Sequence, residues 1–123
     1  SDFGRTLQPS GSGASTVGSD HAWGNHQLVV GGAVNGGNFY GVPGPNGSIF
    51  PSLAMGNVAG TSDTDTRGRW IPNVAVDQYA ATLAKWFGVS AANMPTVFPN
   101  LYRFAAQDLG FMNLTGITTP GCQ

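Results

Sequence analysis

One stretch of the chain, residues 76–87, places apolar side chains at helical spacing. Counted from Val76, apolar residues follow after three, four, seven, ten and eleven positions, which puts them on one face of an α-helix. Asp77 in the first turn and Lys85 near the last suit the helix dipole, and Gly88 follows where helices commonly end in a left-handed residue. The pattern predicts an amphipathic helix over residues 76–87 whose apolar stripe faces the core. The stripe consists of Val76, Tyr79, Ala80, Leu83, Trp86 and Phe87.

Outside that helix, the apolar positions form short runs between turn residues. Residues 27–30 (Gln-Leu-Val-Val) predict a short buried strand, and Asn35-Gly36 predicts a tight turn into a second strand. Residues 103–109 predict another short helix that ends at Gly110. Much of residues 1–75 is otherwise rich in glycine and turn-forming residues, which indicates loops.

The composition narrows the class of protein. Only 9% of the 123 residues are charged, against about 25% in a typical soluble domain, and the net charge of −1 offers no basic surface for nucleic acid. No apolar run approaches the roughly 20 residues of a membrane-spanning helix. Low charge together with 19 glycines is typical of loop-rich exported proteins. We therefore expect no nucleic-acid partner and no membrane span.

Both histidines lie in one short segment, residues 19–26, together with an aspartate. Asp20, His21 and His26 carry side chains of the kinds that ligate zinc and similar divalent ions, so the segment is a candidate metal site. The alternative is that each histidine makes an ordinary hydrogen bond. Arg5 is a candidate for binding an oxyanion through its guanidinium group, or else forms a surface ion pair.

Three other features carry weaker chemical signals. Residues 63–66 (Asp-Thr-Asp-Thr) match a phosphatase nucleophile motif but lack the apolar strand that must precede it, so they indicate an exposed loop with at most weak calcium binding. Trp23, Tyr40 and Trp70 are candidates for a carbohydrate- or ligand-binding groove, although core packing is the simpler explanation. Cys122 is the only cysteine, which leaves either a free thiol or a bridge to a partner chain or to a missing part of the same protein.

Several longer motifs run in order along residues 1–112. They are Asp2–Thr6, Gly18–His21, Trp23–His26, Gly31–Val34, Gly36-Gly37, Arg67–Pro72, Val76–Leu83, Lys85–Val89 and Phe98–Leu101. Together these motifs resemble the DUF1501 family of exported bacterial proteins, which often carry a twin-arginine signal. The family is placed in the alkaline phosphatase/sulfatase-like superfamily.

The resemblance implies a fold and a site. The fold class would be α/β, the C-terminal portion of an alkaline phosphatase-like sandwich with a mostly parallel sheet, Gly-rich loops and short strands. Asp20, His21 and His26 match ligands of a divalent metal such as zinc, manganese or calcium, and Arg5 matches the family's Phe-Gly-Arg, which implies that it binds the substrate anion. Superfamily members use such ions to hydrolyse phosphate or sulfate esters. The superfamily's nucleophile lies upstream of the matched motifs, so no catalytic residue is assigned and enzymatic activity stays open.

The same resemblance implies a partial domain. Residues 1–123 would form one piece of a larger exported domain, located in the periplasm or outside the cell, with a C-terminal tail over residues 113–123. The piece would be inactive alone and would associate with the missing N-terminal part or with other copies of itself. The alternative class is a non-catalytic extracellular surface or assembly protein, because low charge and high glycine content favour close association.

Overall fold

Among the residues that the structure describes, regular secondary structure occurs only in the C-terminal half of the chain. The computed structural model describes residues 3–13, 15–44, 47–56, 59 and 61–114. Within these residues the ordered elements are helix α1 (Val76–Phe87), helix α2 (Met94–Val97) and a 3₁₀-helix (Leu101–Arg103). None of these helices is both long and apolar enough to span a membrane.

The predicted α/β sandwich is wrong. The described residues contain no β-strand and no sheet, and extended segments pair only at isolated β-bridges. Glycines with positive φ, such as Gly11, Gly13 and Gly68, turn the chain near the bridges and keep the pairings short. The strand predicted over residues 27–30 is also absent, and Leu28 and Val30 are exposed there. The four bridges are Arg5 with His21, Ser10 with Gly18, Val34 with Met112, and Asp63 with Trp70.

The chain divides into two compact units, which interleave along the sequence. The first unit comprises residues 1–28 and 43–73, and the second comprises residues 29–42 and 74–123. The single partial domain over residues 1–123 stays a prediction, and most of the predicted tail over 113–123 lies outside the described residues.

Helix α1 begins and ends at the residues that the sequence pattern predicts. At its start, the backbone N–H of Ala75 donates a hydrogen bond to the side-chain oxygen of Gln78 over 2.9 Å. At its end, Gly88 adopts φ 107°, and the N–H of Val89 donates to the carbonyl of Ala84 over 2.9 Å. This arrangement closes the last turn in the manner of a Schellman motif, which requires a residue that tolerates positive φ.

The face that α1 buries differs from the predicted one. The buried residues are Gln78, Ala81 and Thr82, whereas Val76 and Phe87 at the ends of the predicted stripe are exposed. The other four residues of the stripe are half-buried. The prediction that the apolar stripe faces the core is therefore wrong at the two ends of the stripe, whereas Tyr79 in its middle stacks on the buried Phe111 with 5.4 Å between the ring centroids.

Polar side chains of α1 hold the segment that follows the 3₁₀-helix. The Nε2 of Gln78 donates to the carbonyl of Ala106 over 2.6 Å, and the N–H of Leu109 donates to the Thr82 hydroxyl over 2.9 Å. Lys85 forms an ion pair with Asp108 over 2.6 Å. Because the Ala106 carbonyl and the Leu109 N–H have side-chain partners on α1, these two backbone groups need no helical hydrogen bonds. The helix predicted over residues 103–109 is accordingly wrong.

Candidate functional site

The candidate site residues lie on two paired segments of the first unit, residues 3–10 and 18–24. The N–H of Thr6 donates to the carbonyl of Asp20 over 3.0 Å, and the N–H of Ala22 donates to the carbonyl of Gly4 over 2.9 Å. These two hydrogen bonds place Arg5 directly opposite His21 in an antiparallel bridge. Residues opposite each other in such a pair project on the same face.

Asp20 and His21 point to opposite faces of this pairing, because neighbouring side chains of an extended segment alternate. The ring of His21 packs on Phe3, with 4.5 Å between the ring centroids. The carboxylate of Asp20 instead accepts hydrogen bonds from Arg67 and Ser10. The two residues that the resemblance assigns to one metal ion therefore have different surroundings.

The Asp20 carboxylate forms an ion pair with Arg67. One guanidinium nitrogen of Arg67 lies 2.6 Å from Asp20 Oδ2, the Ser10 hydroxyl lies 3.1 Å from Oδ1, and Arg69 follows at 3.9 Å from Oδ2. The hydrogen bond from Arg67 is the main cause that holds the pKa of Asp20 below its ordinary value, with Ser10 adding to it. Both carboxylate oxygens are thus engaged by donors of the protein itself.

Arg5 and His26 have separate surroundings. The guanidinium group of Arg5 donates to the carbonyl of Ser19 over 2.7 Å, which holds it beside His21 on an exposed surface. His26 is also exposed, and its ring centroid lies 6.3 Å from that of Phe50. The structure therefore brings Arg5 next to His21, whereas the ring of His26 faces that of Phe50.

No group of three or more His, Cys, Asp or Glu side chains converges on a possible metal position within the described residues. The donor set that the resemblance implies does not fit a shared ion in this arrangement, because Asp20 is bound to Arg67 and turns away from His21. Zinc, manganese or calcium binding by Asp20, His21 and His26 stays a prediction. Cys122 lies outside the described residues.

Asp63, which the sequence suggested only as part of an exposed loop, is the centre of the loop that supplies Arg67. Its side chain is 1% exposed. Burial raises the pKa of Asp63, but hydrogen bonds from backbone N–H groups outweigh burial and hold that pKa below its ordinary value. Because both oxygens of Asp63 accept backbone hydrogen bonds, neither is left for a nucleophilic or calcium-binding role. The donors are the N–H groups of Gly56, Gly68 and Arg69 at 3.0–3.1 Å and that of Asp65 at 3.3 Å.

The aromatic residues considered for ligand binding have different surroundings. The hydroxyl of Tyr40 donates to the carbonyl of Asn35 over 2.7 Å, and its ring packs edge-on against Phe111 with 6.1 Å between centroids. Trp70 is half-buried beside its bridge to Asp63, whereas Trp23 is exposed. Tyr40 and Trp70 are therefore accounted for by packing.

Comparison with known proteins returns no relative: no family model, no curated protein and no solved structure matches the chain. The resemblance to the DUF1501 family therefore stays a prediction that rests on the motifs quoted above.

Proposed function

We propose that this chain is a non-catalytic assembly protein that associates with other copies of itself through the apolar face of α1. The observation that carries the proposal is the exposure of the two end residues of that face, Val76 at 76% and Phe87 at 84%. These two residues are eleven positions apart, about three helical turns, and so lie along one line of the helix. A protein surface that presents aligned apolar side chains is a common mark of an interaction site.

The buried residues of α1 strengthen this proposal. Gln78, Ala81 and Thr82 lie on the opposite side of the helix, where they hold residues 106–109. The chain thus uses the more polar side of α1 for its own fold and leaves Val76 and Phe87, the two ends of the apolar stripe, toward solvent. All six residues of the stripe are uncharged, so two such faces can approach without repulsion.

The motifs of residues 1–112 support placing this assembly protein among exported proteins related to the DUF1501 family, in the periplasm or outside the cell. The ion pair between Arg67 and Asp20 favours a non-catalytic role, because it engages a carboxylate that the related hydrolases use for a metal ion. We expect no hydrolysis of phosphate or sulfate esters by this chain alone.

The test of self-association compares a double substitution on α1 with a matched control. We expect Val76→Gln/Phe87→Gln to weaken self-association at least about tenfold in sedimentation equilibrium, since burial of one such side chain contributes about 1.5–3 kcal/mol and 1.4 kcal/mol is a factor of ten. Leu53→Gln, at an apolar residue of the first unit that is 69% exposed, serves as the control and should leave the self-association constant unchanged. A wild-type chain that stays monomeric at millimolar concentration would refute the proposal.

A second candidate function is the binding of a phosphate or sulfate group, which the pairing of Arg5 with His21 favours. Inorganic phosphate and sulfate, with and without Zn²⁺, can be titrated while the imidazole resonances of His21 are followed by NMR. We expect shifts at His21 that Arg5→Gln abolishes and Arg103→Gln, a control at another cationic residue, preserves. If no anion shifts the His21 resonances, this second function is wrong.

A further inference from the structure

Asn35 and Gly36 lie in an exposed part of the second unit that has no regular secondary structure. A backbone nitrogen that follows an asparagine can attack the side-chain amide carbon of that asparagine. The attack is fastest when the following residue is glycine, because glycine has no side chain to hinder the approach and reaches the required backbone angles easily. The pair therefore has the sequence and the exposure that this reaction needs.

The surroundings of Gly36 leave the attacking nitrogen room to react. Beyond its chain neighbours, no described atom lies within 4 Å of the position that a Cβ atom of Gly36 would take. The Gly36 N–H donates to the carbonyl of Val34, two residues back, over 2.9 Å. The nitrogen is therefore not held by the pairing of this segment with residues 110–113.

Asn35 itself fastens residues 33–36 to residues 110–113. Its backbone N–H donates to the Phe111 carbonyl over 2.9 Å, and its side-chain Nδ2 donates to the Gly110 carbonyl over 3.0 Å. The side-chain hydrogen bond is exposed, and exposed bonds of this kind belong to the part of a fold that opens most readily. The amide group that the reaction consumes is thus one of the groups that hold this pairing.

We propose that Asn35 is a site of spontaneous deamidation, and that its conversion releases residues 33–36 from residues 110–113. Solvent base takes the proton of the Gly36 N–H, and the nitrogen attacks Cγ of Asn35. The bond from Cγ to Nδ2 breaks and Nδ2 takes up a proton, so that ammonia leaves and a succinimide ring remains. Water then opens the ring at either carbonyl, which gives aspartate or isoaspartate. The net reaction consumes one water, releases one ammonia and needs no oxidant or cofactor.

Both products remove the donor that faces Gly110. In aspartate, a carboxylate oxygen takes the place of Nδ2, so that two acceptors would meet where a donor and an acceptor met before. Isoaspartate in addition lengthens the backbone by one carbon, which disturbs the register of the neighbouring bridge between Val34 and Met112. Because the ammonia is lost to solvent, the release runs in one direction only. The inference does not depend on self-association of the chain.

The first test locates the reaction by peptide mass spectrometry of the wild-type chain aged in warm, mildly alkaline buffer. We expect the mass gain of deamidation to appear several-fold faster at Asn35 than at Asn38, an exposed asparagine that bulky Phe39 follows. Gly36→Ala should slow the gain at Asn35 several-fold, whereas Gly32→Ala should leave it unchanged. The two variants are matched, because neither glycine has positive φ or a described non-neighbouring atom within 4 Å of its Cβ position. Equal rates at Asn35 and Asn38, or an unchanged rate in Gly36→Ala, would overturn the site.

The second test measures the release by hydrogen exchange in Asn35→Asp, which reproduces one product. The N–H of Asn113 donates to the Ala33 carbonyl over 2.7 Å across the pairing, so its exchange should accelerate several-fold. Asn38→Asp adds the same charge to the same segment and should leave the Asn113 amide unchanged. The Val89 amide, which closes α1, should stay protected in both variants. Unchanged exchange at Asn113, or equal loss of protection at Val89, would contradict a local release.

Discussion

At the scale of single residues, the Asp63 carboxylate shows how this charge-poor chain uses its few charges. It is a local anchor that gathers the N–H groups of Gly56, Gly68 and Arg69, and so fixes the loop that carries Arg67 to Asp20. We expect Asp63→Asn to lower the thermal midpoint of unfolding clearly, because an amide nitrogen would face backbone donors. The intrinsic fluorescence of the chain should report the transition. Asp77→Asn, at the start of α1, is the control. If it lowers the thermal midpoint as much as Asp63→Asn does, Asp63 is not an anchor of its loop.

A second residue-scale feature is the position of Gly4, where the fold leaves no room for a side chain. A Cβ atom at this position would lie 2.6 Å from the backbone oxygen of Gly24, an atom that cannot move without disturbing the pairing. We expect Gly4→Ala to destabilise the first unit by about 1–3 kcal/mol, as overpacking commonly does. Gly18→Ala is the matched control in the paired segment, because nothing lies within 4 Å of its Cβ position. Equal stabilities of the two variants in urea unfolding would show that the close approach is not required.

At the scale of elements, the bounds of α1 could be predicted from the sequence, whereas its buried face could not. Its bounds follow from local signals, the apolar periodicity and Gly88, and the structure confirms them. Its buried face could not be predicted, because the partners of Gln78 and Thr82 are backbone groups 28 and 27 residues further along the chain. A pattern of apolar spacing contains no information on which side a distant backbone segment will approach.

Prediction from sequence met the same limit at the candidate site. The sequence pointed to the segment of Asp20 and His21 but could not show that Arg5 lies opposite His21, because register between two loop-rich segments is set by their pairing. It also missed the role of Asp63, whose partners are mostly backbone N–H groups rather than side chains with a recognisable spacing. The pairing of Arg67 with Asp20, 47 residues apart, had no local signal at all.

Thr82 provides an element-scale test of the polar face of α1. We expect Thr82→Val to lower the free energy of unfolding by about 1–3 kcal/mol, because it leaves the part-buried N–H of Leu109 without its acceptor. Hydrogen exchange should then accelerate at the Leu109 amide in particular. Thr96→Val in α2, at an exposed threonine, is the control and should change stability by no more than about 0.5 kcal/mol. Unchanged exchange at Leu109 would show that α1 does not hold this segment through Thr82.

At the scale of the whole molecule, low charge and exposed apolar residues have one common consequence. With only 9% charged residues, the chain has little electrostatic repulsion between copies, and Leu28, Val30 and Phe87 expose apolar surface to solvent. Its few carboxylates serve instead as internal anchors, since Asp20, Asp63 and Asp108 each bind donors of the chain itself. The stability of the folded chain should therefore depend on the ionisation of these three groups.

The last prediction concerns that dependence on pH. In the folded chain the pKa values of Asp20, Asp63 and Asp108 lie below the ordinary value of 3.8, so the folded state binds fewer protons than the unfolded state around that pH. The stabilisation is fully present above the unfolded pKa and is lost as pH falls through the folded values. We expect the urea midpoint to be constant near neutral pH and to fall once the pH drops below about 5. Asp63→Asn should make this fall shallower, because one of the three groups no longer titrates, whereas a midpoint that rises on acidification would contradict the assignment of these carboxylates as anchors.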